Sequence, residues 1–461
     1  MSGTFASFNT ALSALRYNRV AMDTASQNIA NVGVDGYTRR RVDAVTAGTP
    51  TQPAMWSRDQ GTGGGVRITG VDRMSDYLLD LRRRTEHGKQ SYLDTRQAVL
   101  DRLESGIGEP GDTGLASVLA QFRGAWSDLA NTPDSDAARA QVISRGREVA
   151  DALHLQASSF QSEAGDQRVR ANGLVAEINT VAADLAATNK AVQVANLTND
   201  DAGNLLDQRD QLALRLTQLT GGKAVANGTG GLDVTVGGVA LVTGAIAGSL
   251  QVAGGITPTG DADGNPVSFE LTHPLNGTTA VAGLTGELGA VTDLLNTTIP
   301  AYLAGLGSVA QTLADGVNAL HQAGYDATGA AGLAFFTYDP ADPAGSLDVT
   351  LTGTAQVAAS SLAGGVVQGG NAAALADFSA DPAYQQLVNG FGTSVSSSRR
   401  LATSQQMLTE QVDGARDQLA GVNLDEEMLS MVQYQRAYEA AARVMTVVDS
   451  MLDTLINRTA V

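Results

Sequence analysis

There is no cysteine among the 461 residues, which removes disulfide scaffolds, thiolate zinc sites, iron–sulfur clusters and cysteine nucleophiles. Aromatic residues make up only 5%, so any core has to be built mainly from leucine, valine and alanine. No run of about 18 apolar residues is free of polar interruption, and membrane insertion is not expected. Arg16 and Arg19 sit where the apolar stretch of a cleavable leader would lie. Basic residues are few, 30 against 48 acids for a net charge of −18. Neutralising phosphates requires a basic face, so a nucleic-acid partner is not expected either. What is present suffices for folding: 43% of the residues are hydrophobic, and the length fits roughly two to four domains.

The scarcity of positive charge is local. Between Lys223 and Arg399 there is no lysine or arginine, while thirteen acids from Asp233 to Asp381 carry −13 of the −18. Such a stretch reads equally as an Ala/Gly/Asp-rich soluble segment or as a solvent-facing region that repels its own copies.

The two ends share a different pattern. Phe5, Phe8, Leu12, Leu15, Met22 and Ile29 fall on the a and d positions of a heptad, with Arg19 and Ser26 in the skipped places and Gly33 and Gly36 beyond. A stripe this thin leaves a helix of about 25 residues marginal on its own. At the other end Leu424, Met428, Met431, Tyr438, Ala441, Met445, Val448, Leu452 and Leu455 form a second stripe. Asn423 is placed to cap it, with Asp425, Glu426 and Glu427 in the first turn where the helix dipole favours carboxylates. Residues 1–42 carry +3 and residues 421–461 carry −3. Opposite charges on two single-stripe helices predict a coiled-coil pair. The interface residues it would use are Phe8, Leu12, Leu15, Met22 and Ile29 against Met428, Met431, Met445, Val448, Leu452 and Leu455.

Between the ends, periodicity predicts helices over about 74–105, from Thr132-Pro133-Asp134 toward Lys190 with breaks near Gly165 and Gly173, and over Leu205–Leu219 closed by Gly221-Gly222. Further helices are predicted over about 284–321, kinked at Pro300, and over about 384–419. Short Val/Leu runs between glycines and asparagines over 224–283 predict an antiparallel β unit, the alternation at 347–352 predicts a smaller β element within 333–357, and Gly61–Gly65 predicts a hairpin or loop. The expected class is α+β and multidomain. It comprises a terminal coiled-coil unit (1–42 with 421–461), a mainly helical inner unit (43–223 with 284–420) and an inserted antiparallel β outer unit (224–283).

Catalytic patterns are missing. His87, His154, His273 and His321 show no metal-binding spacing and read as surface or partly buried polar residues. Gly61–Gly65 lacks the Lys-Ser/Thr of a phosphate loop, no G-x-S-x-G elbow occurs, and Asp261-Ala262-Asp263-Gly264-Asn265 reads as a turn rather than a calcium loop. Neither catalysis nor a cofactor is expected.

Ser26-Gln27-Asn28-Ile29-Ala30-Asn31 with Gly36-Tyr37-Thr38-Arg39 resembles the N-terminal signature of bacterial flagellar rod, hook and hook-associated proteins. Gly421-Val422-Asn423-Leu424-Asp425-Glu426-Glu427 with Gln433-Tyr434-Gln435-Arg436-Ala437-Tyr438 resembles their C-terminal signature. Leu206-Asp207-Gln208-Arg209-Asp210, Pro133 to Arg139 and Gly286-Glu287-Leu288-Gly289 narrow the resemblance to the hook-associated protein 1 (FlgK) family. It covers about 1–223, 284–325 and 384–461.

The resemblance implies a structural subunit of the hook–filament junction. Its terminal helices would pair as the inner coiled coil of a hollow tube, order on assembly and polymerise helically with copies of the chain, and its basic-free segment would face outward. It also implies contacts with the hook protein, the second hook-associated junction protein and an export chaperone, and secretion through the flagellar type III route. The rival readings are the second junction protein or a flagellin-like subunit, and a secreted enzyme on a flagellar scaffold, which would need an acid/base pair or metal site in 224–383.

Overall fold

The computed structural model describes residues 2–47, 64–111, 114–198 and 200–454. The chain opens with helix α1 (Ser2–Ala30), followed by an antiparallel hairpin of β1 (Arg40–Thr46) and β2 (Val66–Arg73). Four helices come next: α2 (Tyr77–Ile107), α3 (Leu115–Asn131), α4 (Asp136–Thr198) and α5 (Gly203–Thr220). Seven strands succeed them: β3 (Lys223–Ala226), β4 (Leu232–Val236), β5 (Val239–Thr243), β6 (Ile246–Ala247), β7 (Ser249–Gly254), β8 (Ser268–His273) and β9 (Gly277–Val281). They form two antiparallel meanders, β3-β4-β5-β6 and β7-β8-β9. The remainder is α6 (Glu287–Asp293), a π-helical turn (Leu294–Thr298), α7 (Ile299–Ala323), the two-residue strands β10 (Phe336–Thr337) and β11 (Asp348–Val349), the short helices α8 (Pro343–Ser346) and α9 (Gly370–Asp377), α10 (Asp381–Ala420) and α11 (Leu424–Asp453).

Helix α4 has 63 residues, a length of about 95 Å at 1.5 Å per residue, and it organises the body. Its N-terminal half shares one apolar cluster with α3, α7, α9 and residues 335–359, centred on Trp126, Phe122, Phe335 and Phe336. Its remainder shares a second cluster with α2, α5, α6 and the strands, where Phe160 stacks on Tyr302 with centroids 4.0 Å apart and Phe391 meets Tyr302 edge-on. The strand segment therefore closes no core of its own. Asn189 on α4 donates to the Leu232 carbonyl (2.8 Å) and accepts from the Leu232 amide (3.0 Å), and Asn179 does the same for Leu250 at 2.9 and 2.7 Å. Each asparagine thus satisfies a strand residue's backbone and docks one sheet onto the helix.

Several local readings shift. The α4 start signal is displaced: Thr132 ends α3, its hydroxyl donating to the Asp128 carbonyl, and Ser135 accepts from the Ala138 amide instead. Gly165 and Gly173 do not break α4, because packing outweighs a propensity cost of about 1 kcal/mol per glycine. Pro300 follows the π turn rather than a simple kink, since widening the turn accommodates a residue with no amide hydrogen. The β element of 333–357 is reduced to β10 and β11. His273 and His321 are fully buried rather than at the surface or partly buried. Of Gly61–Gly65, residues 61–63 lie outside the described residues, and Gly65 leads into β2.

α2 and α10 run antiparallel, tied by Arg83–Asp413 (2.8 Å), Gln405–Glu86 (2.7 Å) and Arg399–Glu104 (2.7 Å). This brings the C-terminal end of α10, where α11 begins, beside the start of α2 and the β1–β2 hairpin.

Candidate assembly interface

α1 and α11 lie side by side. Asn28 near the end of α1 donates to Glu427 near the start of α11 (3.0 Å), and farther back Tyr17 meets Tyr434 edge-on with centroids 6.2 Å apart. The two helices are therefore antiparallel. On α11, Glu427, Met431, Tyr434, Ala441, Met445, Val448 and Leu452 follow steps of three and four along the more covered face, with one step of seven past the exposed Tyr438; Glu427, Ala441 and Val448 are buried. Met431, Met445 and Leu452 are half-buried, whereas Met428 points away and is 50% exposed. Leu455 lies outside the described residues.

On α1 the buried line is not the apolar stripe. Ala11, Asn18, Ala21, Thr24, Ala25 and Asn28 are buried, while Phe8, Leu12, Leu15, Met22 and Ile29 are half-buried. The two lines are offset by one residue, about 100° around the helix. Alanine and asparagine allow close approach, and the large side chains flank the contact. Sequence reasoning put the large residues in the centre because it weighed hydrophobicity and not backbone distance. The signal for the actual line was present as Ala11, Ala14, Asn18, Ala21, Ala25 and Asn28 in heptad order.

The base of the pair is polar. Asn28 accepts from the Arg40 amide (3.0 Å) and the Tyr37 hydroxyl (2.8 Å) and donates to the Arg40 carbonyl (2.9 Å). Arg39 pairs with Glu427 at 2.7 Å and Glu426 at 2.9 Å, and its amide donates to the Ala420 carbonyl. Asn423 caps α11 by accepting from the Asp425 amide (3.0 Å). Gly36 holds φ +80°, and a side chain there would overlap Gln211, which donates to the Asp35 carbonyl.

Immediately beyond lies a cluster of buried charge. Arg40 and Arg73 are direct cross-strand partners on the hairpin. Arg40 reaches Asn204 (2.5 Å) and Asp207 (3.3 Å), and Arg73 reaches Asp207 (2.9 Å) and Asp210 (2.8 Å). Gly203 opens α5 because a Cβ there would sit 2.6 Å from the Arg40 Cζ. Thr38, fully buried, accepts from Arg73 (3.1 Å) and Arg416 (3.3 Å). Burial pushes the Asp210 carboxyl up, but Arg209 and Arg73 outweigh it and hold it below its ordinary value. Burial raises Asp80 nearby, reinforced by the Asp210 charge. Two sequence motifs separated by more than 160 residues, 36–39 and 206–210, meet here through Thr38 and the neighbouring Arg40. Neither Arg40 nor Arg73 was expected from sequence; three consecutive arginines in an acidic chain were the available clue.

Asp263 accepts from the Asn265 and Gly255 amides as a turn residue. Among the described residues there is no group of three potential metal ligands, and no helix is long and apolar enough to cross a membrane.

Comparison with known proteins agrees with this architecture. Residues 100–336 match the family model described as the flagellar hook-associated protein FlgK helical domain. Residues 8–38 match a flagella basal body rod protein model, and residues 418–458 match the C-terminal model of the flagellar basal body rod FlgEFG proteins. Flagellar hook-associated protein 1 of Bacillus subtilis is 27% identical, covering 99% of both chains, and that of Escherichia coli is 24% identical, covering 97% of this chain and 99% of the other. The flagellar hook junction protein FlgK of Burkholderia pseudomallei superposes with a TM-score of 0.63 at 15% identity, over 73% of this chain and 99% of that one. With more than half its length matched by the helical-domain model, the chain belongs to the FlgK family of flagellar hook-associated proteins, structural components of the bacterial flagellum.

Proposed function

We propose that the chain is the junction subunit between hook and filament, polymerising helically through α1 and α11. The observation that carries this is the unused apolar flank of the pair. Phe8, Leu12, Leu15, Met22 and Ile29 are only half-covered by their own chain, and Met428, Leu429, Val432, Val444, Val447 and Met451 on α11 are 42–61% exposed. A pair of surface helices in a finished monomer does not leave this much aliphatic area in the open. Packing that flank against other copies head-to-tail gives a helical array rather than a closed dimer. In this reading the hook protein and the second hook-associated protein are the axial neighbours, and the chain reaches them by type III export with an export chaperone covering the flank beforehand. Residues 1–42 with 421–461 then form the assembly unit, the helices of 43–223 and 284–420 its support, and 224–283 the part facing out. No catalytic step is required.

The test is Leu15→Asp. Burying an unpaired carboxylate among apolar neighbours costs several kcal/mol, so the variant should fold and be exported but fail to form junctions, with filament protein lost to the medium. Normal filament growth and retention would refute the assembly role of the flank.

A further inference from the structure

The terminal pair joins the body through two short links, residues 31–39 before β1 and Gly421–Asn423 before α11. Apolar packing is sparse at these links, where a cleft of about 710 Å³ is lined by Val34, Gly36, Asp417 and Val422 among others and the contacts across are polar, from Arg39 to the Ala420 carbonyl and to Glu426 and Glu427. Beyond these links stand Arg40 and Arg73 of the hairpin, Arg73 sharing the Thr38 hydroxyl with Arg416 of the cleft lining. A buried ionic cluster is weak evidence for stability, because apolar replacements often serve as well. What it supplies is geometry, since a guanidinium offers its donors in a fixed planar fork.

Here both partners are rulers. Arg40 and Arg73 are cross-strand neighbours, so the spacing of their Cβ atoms is set by strand pairing, and burial confines the side chains that extend from them. Asp207 and Asp210 are three apart on α5, so their spacing is set by the helix. A single ionic contact would leave the hairpin free to pivot; contacts from both arginines, sharing Asp207 and with Arg73 also on Asp210, do not. The side chains of Arg40 and Arg73 are only 4% and 9% exposed, so solvent screens little of this. The hairpin in turn holds the pair, through the bonds of Asn28 to the Arg40 backbone and of Arg39 to Glu427.

We infer that Arg40, Arg73, Asp207 and Asp210 are positioning residues that set the angle at which the α1–α11 pair leaves the body, and so present its apolar flank to other copies in one orientation. The inference rests on the assembly reading for its purpose, but its test reads a single chain.

Because the chain has no cysteine, spin labels can be placed without background. One pair of labels, at Lys190→Cys on α4 and Arg443→Cys on α11, spans body and terminal pair. A second, at Arg19→Cys and Arg443→Cys, stays within the terminal pair; all three positions are exposed. In full-length chain at high dilution, Asp207→Asn with Asp210→Asn removes the charges and keeps the shape. The body-to-pair distance distribution should broaden about twofold, as expected of a freed hinge, while the distribution within the pair stays as narrow as in the parent. Arg73→Gln alone, which leaves Arg40 on Asp207, should give a smaller broadening of the same kind. An unchanged body-to-pair distribution overturns the inference. So does broadening of both distributions together, because the cluster would then hold the pair closed rather than aim it. Failure here leaves the polymerisation reading standing, and normal junctions in Leu15→Asp would sink that reading without touching this one.

Discussion

At the scale of single residues, His321 shows how a buried polar group is committed to one state. Its Nδ1 donates to the Leu333 carbonyl at 2.6 Å, and its Nε2 accepts from the Ala358 amide at 2.9 Å. That pattern requires the neutral ring, and burial pushes its pKa below the ordinary value, only partly opposed by the Leu333 carbonyl and Asp326. The unfolded chain therefore binds a proton near pH 6.5 that the folded chain refuses. This contribution to stability is fully present above about pH 6.5 and is lost as the pH falls from there toward the folded-state value, at up to about 1.4 kcal/mol per pH unit. Urea melts between pH 5 and 8 should show that slope in the parent and a shallower one in His321→Gln, whose overall stability is lower; equal slopes would refute the assignment. The sequence did not reveal this residue. A lone histidine has no pattern, and its partners, at positions 333 and 358, are backbone groups from distant turns. Asn28 was more legible, since its motif was recognisable, but its triple role was not, because that depends on a hairpin and a helix brought together only by folding.

At the scale of elements, glycines in α4 separate two causes that sequence merges. A Cβ on Gly146 would lie 2.7 Å from the Phe335 ring, whereas nothing stands within 4 Å of one on Gly165 or Gly173. Gly146 is there for close packing, and the others only weaken the helix. Gly165→Ala and Gly173→Ala should each stabilise the protein by about 0.5–1 kcal/mol, while Gly146→Ala should cost about 1–3 kcal/mol through overpacking, all read from denaturant midpoints. A loss in all three would mean that α4 uses the two open glycines for bending. The longest helices and the antiparallel strands of 223–281 were readable because their periodicity persists over many residues, whereas α3 (Leu115–Asn131) was not expected. The displaced cap at Ser135 and the π turn before Pro300 were not, because neighbouring capping residues compete and the tertiary fit chooses among them. The stripe on α1 was found in the right helix and one residue off its buried line. Hydrophobic periodicity locates a face, but the distance between helices decides which side chains fit at its centre.

At the scale of the whole molecule, charge and core are arranged separately. Of the thirteen acids between Lys223 and Arg399, Glu287, Asp293 and Asp381 meet arginines among the described residues, and those arginines (Arg170, Arg215, Arg96 and Arg123) all come from outside the segment. Others accept from backbone amides, Asp326 in a turn and Asp342 as the cap of α8, so part of the segment's charge shapes local backbone. The two apolar clusters contain no residue of α1 or α11. The stability of the body should then be indifferent to the terminal pair, whose 29 and 30 helical residues rest on each other, on the hairpin and on the charged cluster. A fragment of residues 38–421 keeps Thr38, Arg40, Arg73, Arg416 and both clusters. It should unfold at the temperature of the main transition of the full chain. The full chain should in addition lose the helical signal of the two ends in a separate, earlier step, because a single line of alanine and asparagine buries too little apolar area to offset the ordering of two long helices. Far-ultraviolet circular dichroism melts of both proteins, side by side, decide the matter. If the fragment is unfolded, or if the full chain melts in one step well above it, the ends are part of the body's core after all, and a pair held in reserve for other copies is no longer tenable.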